Sequence, residues 1–210
     1  TFMQYTTKAY ASEKSPLELS FIPIHPGDIL SYGGYHFEVK LLKGHTFGQC
    51  GLYEPEKKLM FVGDQLMTTI VPIVGTQETD LGMLKCYLDS LGDLKHNYKD
   101  CYFLPCHYGE IKNVEKEVNR IILGYLEKCE IMKHVLEEAG TALTTRDIGV
   151  RTYGRSQGPP DYAHFASCTN IWAKTFSCME YMMGEGFVER SERDGIIYWK
   201  APSIHFENNR

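Results

Sequence analysis

The side chains best equipped for chemistry are His45, Asp64 and His107. Each follows a short apolar run and sits beside a glycine or a turn. His45 lies in Gly44-His45-Thr46, after the apolar approach Val39, Leu41 and Leu42. Asp64 closes the run Leu59-Met60-Phe61-Val62-Gly63-Asp64, and His107 follows Tyr102-Phe103-Leu104-Pro105-Cys106. Imidazole nitrogens and carboxylate oxygens are borderline-hard ligands suited to zinc, manganese or iron, and the same groups serve as general acids and bases. A neighbouring glycine lets the backbone turn sharply, so that the side chain leaves the sheet edge. Taken singly, a histidine in a turn is most often a surface or capping residue, and Gly-Asp after a strand is usually only a turn. The signal is the three together, in order.

The elements that must position them can be read from periodicity. "FIPIHPGDIL" followed by "SYGGYHFEVKLL" predicts a strand pair turned at Gly33-Gly34, with Phe37, Val39 and Leu41 alternating to one face. A hairpin over residues 49–63 reverses at Glu54-Pro55-Glu56-Lys57-Lys58 and leaves His45 and Asp64 at the ends of neighbouring strands. Leu81, Leu84, Leu88 and Leu91 predict a helix over 77–98, with Thr79 or Asp80 as its cap, and Tyr102, Phe103 and Leu104 predict a buried strand. Strand–helix–strand order implies an α/β layer. From about residue 112 the pattern becomes helical, with Val118, Ile121, Ile122, Tyr125, Cys129, Met132, Val135 and Leu136 on one face and Gly140 as the stop. Thr144 or Thr145 caps a short helix, residues 151–164 read as a Gly/Pro-rich loop, and a second amphipathic helix carries Ile171, Trp172, Phe176, Met179 and Met183. A hairpin turned near Asp194-Gly195 follows, and three helices plus a hairpin form a winged-helix pattern. The "ASEKSP" stretch reads as a loop. Two domains are expected, residues 1–112 and 113–210.

Composition narrows the function classes. The 210 residues are 43% hydrophobic and 23% charged, with a formal net charge of -5. A negative balance disfavours nonspecific attraction to phosphate backbones or anionic membranes, and no apolar run approaches the roughly 18–20 residues of a membrane span. Seven cysteines without a CxxC pair argue against a thiol zinc knuckle or a redox motif. Their odd number favours a reducing, cytoplasmic setting, with most of them buried as small hydrophobes.

"KGHTFGQCGLYEPEKKLMFVGDQL" and "FLPCHYGEI" together resemble the third, fourth and fifth motifs of the metallo-β-lactamase superfamily. In that family a "PGHTxGH" turn supplies a metal-binding histidine, a hairpin ends in a "GD" whose aspartate bridges two metals, and "LPGHG" supplies a histidine for the second metal. The resemblance spans roughly residues 20–112 and implies the C-terminal half of an αββα sandwich. It implies that His45 binds the first metal, His107 the second, and that Asp64 bridges them as the catalytic carboxylate. The implied cofactor is zinc, two ions in a complete domain, with iron or manganese as alternatives. The implied reaction is attack of a metal-activated hydroxide on an ester, thioester or phosphodiester, most naturally in a small molecule, with RNA as a second substrate class. The tail, closing on Ile197, Tyr198 and Trp199, is similar to the C-terminal domain of the lactamase-β-2-like branch, which is related to glyoxalase II-like enzymes.

The sequence departs from the family pattern at Lys43 (for Pro), Gln49 (for the second His) and Cys106 (for Gly). Gln49 lies outside the implied ligand set, and Cys106 reads as a small, tightly packed side chain. The "HxHxDH" signature is absent, and His25 and His36 do not form it. The chain therefore reads as the second half of a hydrolase domain that holds metal weakly by itself. The runner-up reading is a non-catalytic interaction or nucleic-acid-binding module. Against it, the candidate recognition helix, 169–183, carries Lys174 as its only base beside Glu180, with Glu185 just beyond. The hairpin mixes Arg190, Arg193 and Lys200 with Glu189, Glu192 and Asp194. A groove reader needs a positive stripe, so packing or substrate gating is the expected role. Tyr153, Tyr162, His164 and Phe165, near Pro159-Pro160, are candidates to border the cleft.

Overall fold

In the computed structural model, which describes residues 10–12, 22–75, 82–154 and 162–202, the first elements are a small parallel pair, β1 (Tyr10–Ser12) and β2 (Ile22–Ile24). The expected loop "ASEKSP" thus begins inside a strand, and its remaining residues lie outside those described. Pro26-Gly27 then turns the chain, with the Asp28 carboxylate accepting from the His25 amide at 2.7 Å. This break separates β2 from β3 (Ile29–Tyr32), so the expected long first strand is two short ones.

A five-stranded sheet follows in the order β3-β4-β5-β6-β7, with β4 at Tyr35–Leu41, β5 at Cys50–Glu54, β6 at Leu59–Gly63 and β7 at Tyr102–Pro105. The pairs from β3 to β6 are antiparallel, and β7 runs parallel to β6. Parallel pairing needs a long crossover, and the segment between them contains helix α1 (Met83–Asn97). Tyr87, Leu91 and Leu94 are buried at i, i+4 and i+7, joined by Leu84, while Leu88 is half-buried. The expected cap residues Thr79 and Asp80, and Leu81, lie outside the described residues. The buried Glu54 accepts the Lys57 amide at 2.5 Å and holds the β5–β6 reversal.

The chain divides into two compact units, Thr1–Glu78 with Lys85–Ile122, and Thr79–Leu84 with Leu123–Arg210. Helix α2 (Val114–Ala139) contributes residues to both. In the second unit Tyr125, Cys129, Met132 and Leu136 are buried at helical spacing. After β8 (Leu143–Thr144), Thr144 caps α3 (Thr145–Tyr153) through a capping box with Asp147. Helix α4 (Tyr162–Gly184) leads to the hairpin β9 (Glu189–Arg193) and β10 (Ile196–Lys200), and β8 completes a sheet ordered β8-β10-β9. Trp199 is fully buried, its indole N–H donating to Thr145 Oγ1 at 2.9 Å, with the Phe176 ring edge-on.

Three expectations need correction here. The stretch 151–164 is not all loop. Arg151, Thr152 and Tyr153 finish α3, and α4 begins at Tyr162; the side chains of Tyr162, His164 and Phe165 lie outside the description. The buried face of α4 is set by Thr175, Cys178, Met179 and Met182 rather than by Trp172, which is exposed. Thr175 and Ser177 sit on the buried side because their hydroxyls donate to Ile171 O and Ala173 O, one turn back, each at 2.8 Å. Among the described cysteines only Cys129 and Cys178 are buried, and they are not isolated: Cys178 shares a hydrogen bond with Cys129. That bond, with burial, pushes the Cys178 thiol well up, which keeps it protonated and unreactive at neutral pH. Alkylation of the native protein at pH 8, followed by peptide mass mapping, is expected to label the exposed Cys106 in minutes and Cys178 only at the rate of unfolding. Among the described residues no helix is long and apolar enough to cross a membrane.

Candidate metal centre

The strand directions put three chain segments at one edge of the sheet. Leu41 at the end of β4 faces Cys50 at the start of β5, and Gly63 at the end of β6 faces Pro105 at the end of β7. Whatever follows β4, β6 and β7 therefore emerges on the same side. His45 comes from the connection 42–49, Asp64 is the first residue after β6, and His107 is the second after β7. Because β5 lies between β4 and β6, that connection brings His45 to the aspartate, not the strand adjacency expected from sequence.

His45 Nε2 is 3.5 Å from Asp64 Oδ2, and His107 Nε2 is 3.5 Å from Asp64 Oδ1. The His45 and Asp64 side chains are 28% and 26% exposed, and that of His107 is 60% exposed. His45 Nδ1 lies 2.8 Å from the carbonyl of Ile73. A carbonyl only accepts, so Nδ1 carries a proton, which leaves Nε2 to face the carboxylate.

The turns themselves are held by short-range packing. Gly44 has φ of 146° and lies against the Tyr87 ring, and its carbonyl accepts from the Gly75 amide at 2.9 Å. Gln49 bonds Cys50 O and Val62 O, a bridge across β5 and β6 rather than a contact to the site. Cys106 ties β7 to β6 through its amide, which donates to Gly63 O at 3.1 Å. Its side chain is exposed, which overturns the packed reading: the backbone is what the neighbouring strand holds. Gln65 and Tyr87 were invisible as site residues in the sequence. A polar residue immediately after Asp64, ahead of the apolar Leu66-Met67, is the only signal that could have flagged Gln65.

The donor set can be tested against a metal directly. Among the described residues no three His, Cys, Asp or Glu side chains form a closed cage around a single ion. Instead one carboxylate offers a different oxygen to each of two imidazoles, which makes two half-sites sharing a bridge. Asp64 Oδ1 is buried and accepts no hydrogen bond. An orphaned buried oxygen costs about 1–3 kcal/mol, more for a charged group, and a cation beside it would remove that cost. The arrangement fits divalent metal, with each half-site two protein ligands strong and short of the three or four zinc prefers.

No family model matches the chain. Forty residues, 19% of this chain and 19% of the relative, are 50% identical to hydroxyacylglutathione hydrolase GloC of Haemophilus influenzae. Over a larger span the structure is similar to a metallo-β-lactamase family protein from Thermus thermophilus, with a TM-score of 0.71 and 22% identity over 88% of this chain and 55% of that one. A β-lactamase domain protein from Burkholderia ambifaria gives a TM-score of 0.73 and 18% identity, covering 87% of this chain and 53% of its own. The chain has the mixed α/β fold of these metallo-β-lactamase proteins. It spans about half the length of the two solved structures, and 19% of the curated relative is matched.

Proposed function

We propose that this chain is part of a metal-dependent hydrolase of the metallo-β-lactamase superfamily, acting on a small-molecule thioester or ester. The observation that carries the reading is the Asp64 carboxylate, set between two imidazoles with one buried oxygen that accepts no hydrogen bond. His45 and His107 would each hold one ion and Asp64 would bridge the pair. Zinc suits the donors best, with iron or manganese as alternatives. Metal bound there supplies Lewis acidity and lowers the pKa of water toward neutrality. The protein's share is geometric. The Ile73 carbonyl fixes the His45 tautomer with Nε2 free, and the β6–β7 ends set the reach of Asp64 and His107.

The short identity to an enzyme named for hydroxyacylglutathione hydrolysis favours a thioester within this class. Residues 113–210 would form a winged-helix-like domain, supported by the order α2, β8, α3, α4, β9, β10. Packing or gating suits it better than nucleic-acid reading. Lys200 pairs with Glu189 at 2.8 Å and Arg193 lies over the Tyr198 ring, so hairpin cations are engaged by their own sheet. Lys174 is pulled below the usual lysine range by burial. A cytoplasmic, reducing setting would suit an odd number of cysteines without a CxxC pair.

Weak binding to half-sites is best seen by paramagnetic NMR. Titration with Co²⁺ at pH 7.5 is expected to broaden the amide signals of Asp64, Gln65 and Cys106 first. Both His45→Ala and His107→Ala should reduce the effect. Signals unmoved at millimolar Co²⁺, or broadening indifferent to both substitutions, would overturn the reading.

A further inference from the structure

Gln65 is a residue that no ligand role explains, yet it is fully buried, and all its polar groups face partners. Its side-chain nitrogen donates to Lys43 O at 3.0 Å and to Ser90 Oγ at 3.0 Å. Its side-chain oxygen faces the His45 amide at 3.5 Å. Its backbone amide donates to Val62 O at 3.0 Å, and its carbonyl accepts from the Tyr87 hydroxyl at 2.8 Å. The amide orientation follows from the partners: Lys43 O accepts only, so the NH₂ must face it, which turns Oε1 toward the His45 N–H. One side chain thus grips both neighbours of Gly44, and its own backbone adjoins Asp64.

We propose that Gln65 is a positioning residue that sets the separation between His45 and Asp64 by tying the 42–49 connection to the end of β6. The proposal rests on the metal reading above for its purpose, but its structural content stands without metal. Partners that orient metal ligands change affinity by about 10–100-fold when removed, although they touch no metal. A methionine at this position keeps roughly the volume and loses every side-chain hydrogen bond. A glutamate keeps the shape and loses the two donations, which serves if the methionine variant does not fold. Ser90→Ala is the matching control, because it removes one of the same bonds and leaves the Lys43 and His45 links intact.

The experiment has two arms on the intact chain. In the first, Co²⁺ affinity is measured for wild type, Gln65→Met, Gln65→Glu and Ser90→Ala alongside Tm. The expected result is about a tenfold loss in the Gln65 variants and none in Ser90→Ala, even where the control loses as much Tm. Equal weakening in all three would mean the side chain only stabilises the fold, and overturns the proposal. In the second arm, long-range ¹H–¹⁵N spectra of the metal-free imidazoles report the His45 tautomer. Wild type is expected to show Nδ1–H alone, held by the Ile73 carbonyl, and the Gln65 variants, whose released connection lets His45 drift from that carbonyl, a mixture of both forms. If wild type binds no Co²⁺, the metal reading fails, and the second arm still decides: an unchanged His45 spectrum in the Gln65 variants overturns the positioning role.

Discussion

Asp64→Asn is expected to lower divalent-metal affinity at least a hundredfold while raising the melting temperature of the metal-free protein. The two signs come from one feature. In the absence of a cation the carboxylate buries Oδ1 without a hydrogen bond, and its Oδ2 lies 3.5 Å from His45 Nε2. A neutral amide removes the uncompensated charge, and its NH₂ can donate to one of the two imidazoles. Relief of a buried unsatisfied group is worth on the order of 1 kcal/mol, which for a chain of this size is about 2–4 °C in Tm. The loss of affinity follows from the same substitution, since an amide oxygen is a poor bridge between two cations, and a hundredfold corresponds to about 2.7 kcal/mol. A purely structural ion pair between Asp64 and the histidines predicts the opposite outcome, because removing one partner of such a pair destabilises. Paired thermal melts and Co²⁺ titrations of the two proteins at pH 8 decide between them. A lower Tm in the asparagine variant, with metal binding intact, would sink the proposed centre.

Functional sites are the usual place for stability to be sacrificed to chemistry and for local sequence rules to fail. The sheet strands were legible because their apolar runs are local, although in β4 Val39 alone is buried and Phe37, Glu38, Lys40 and Leu41 are all half-buried. The three candidate side chains stood out because each comes after an apolar run and adjoins a turn. What escaped depends on contacts across the chain. The grip of Gln65 on Lys43 joins residues 22 apart, and that of Tyr87 on Gln65 does the same. The hydrogen bond of Cys129 to Cys178 joins two helices separated by α3, so spacing along the sequence made each look isolated. The α4 face departs from its pattern for a different reason. Thr175 and Ser177 count as polar in any pattern, yet by bonding their own helix carbonyls they satisfy themselves and can be buried, while Trp172 is left exposed.

Gly44→Ala should be the most damaging single-methyl change at the site, costing about 3 kcal/mol or more. A Cβ there would fall 2.2 Å from Tyr87 Cδ2, 2.5 Å from its Cβ and 2.7 Å from its Cγ. Those atoms cannot retreat: Tyr87 is fully buried, and its hydroxyl is fixed to Gln65 O at 2.8 Å. Overpacking costs about 1–3 kcal/mol, and the φ of 146° adds backbone strain for any L side chain, on the order of 1–3 kcal/mol. Gly63→Ala is the useful contrast, because its Cβ would meet Gln49 Nε2 at 2.1 Å, the far end of a flexible side chain, with the next Gln49 atom at 3.2 Å. Gln49 can swing away at the cost of its bonds to Cys50 O and Val62 O, so this variant should lose about 2 kcal/mol, from those bonds and the strain of a φ of 56°. Urea midpoints at constant m-value read both changes. Trimming the obstacle tests the cause: Tyr87→Ala is itself destabilising, but Gly44→Ala combined with it should cost clearly less than the two separate losses added together. Additive losses would mean that the tyrosine does not wall in the glycine, and that the turn carrying His45 is held by something else.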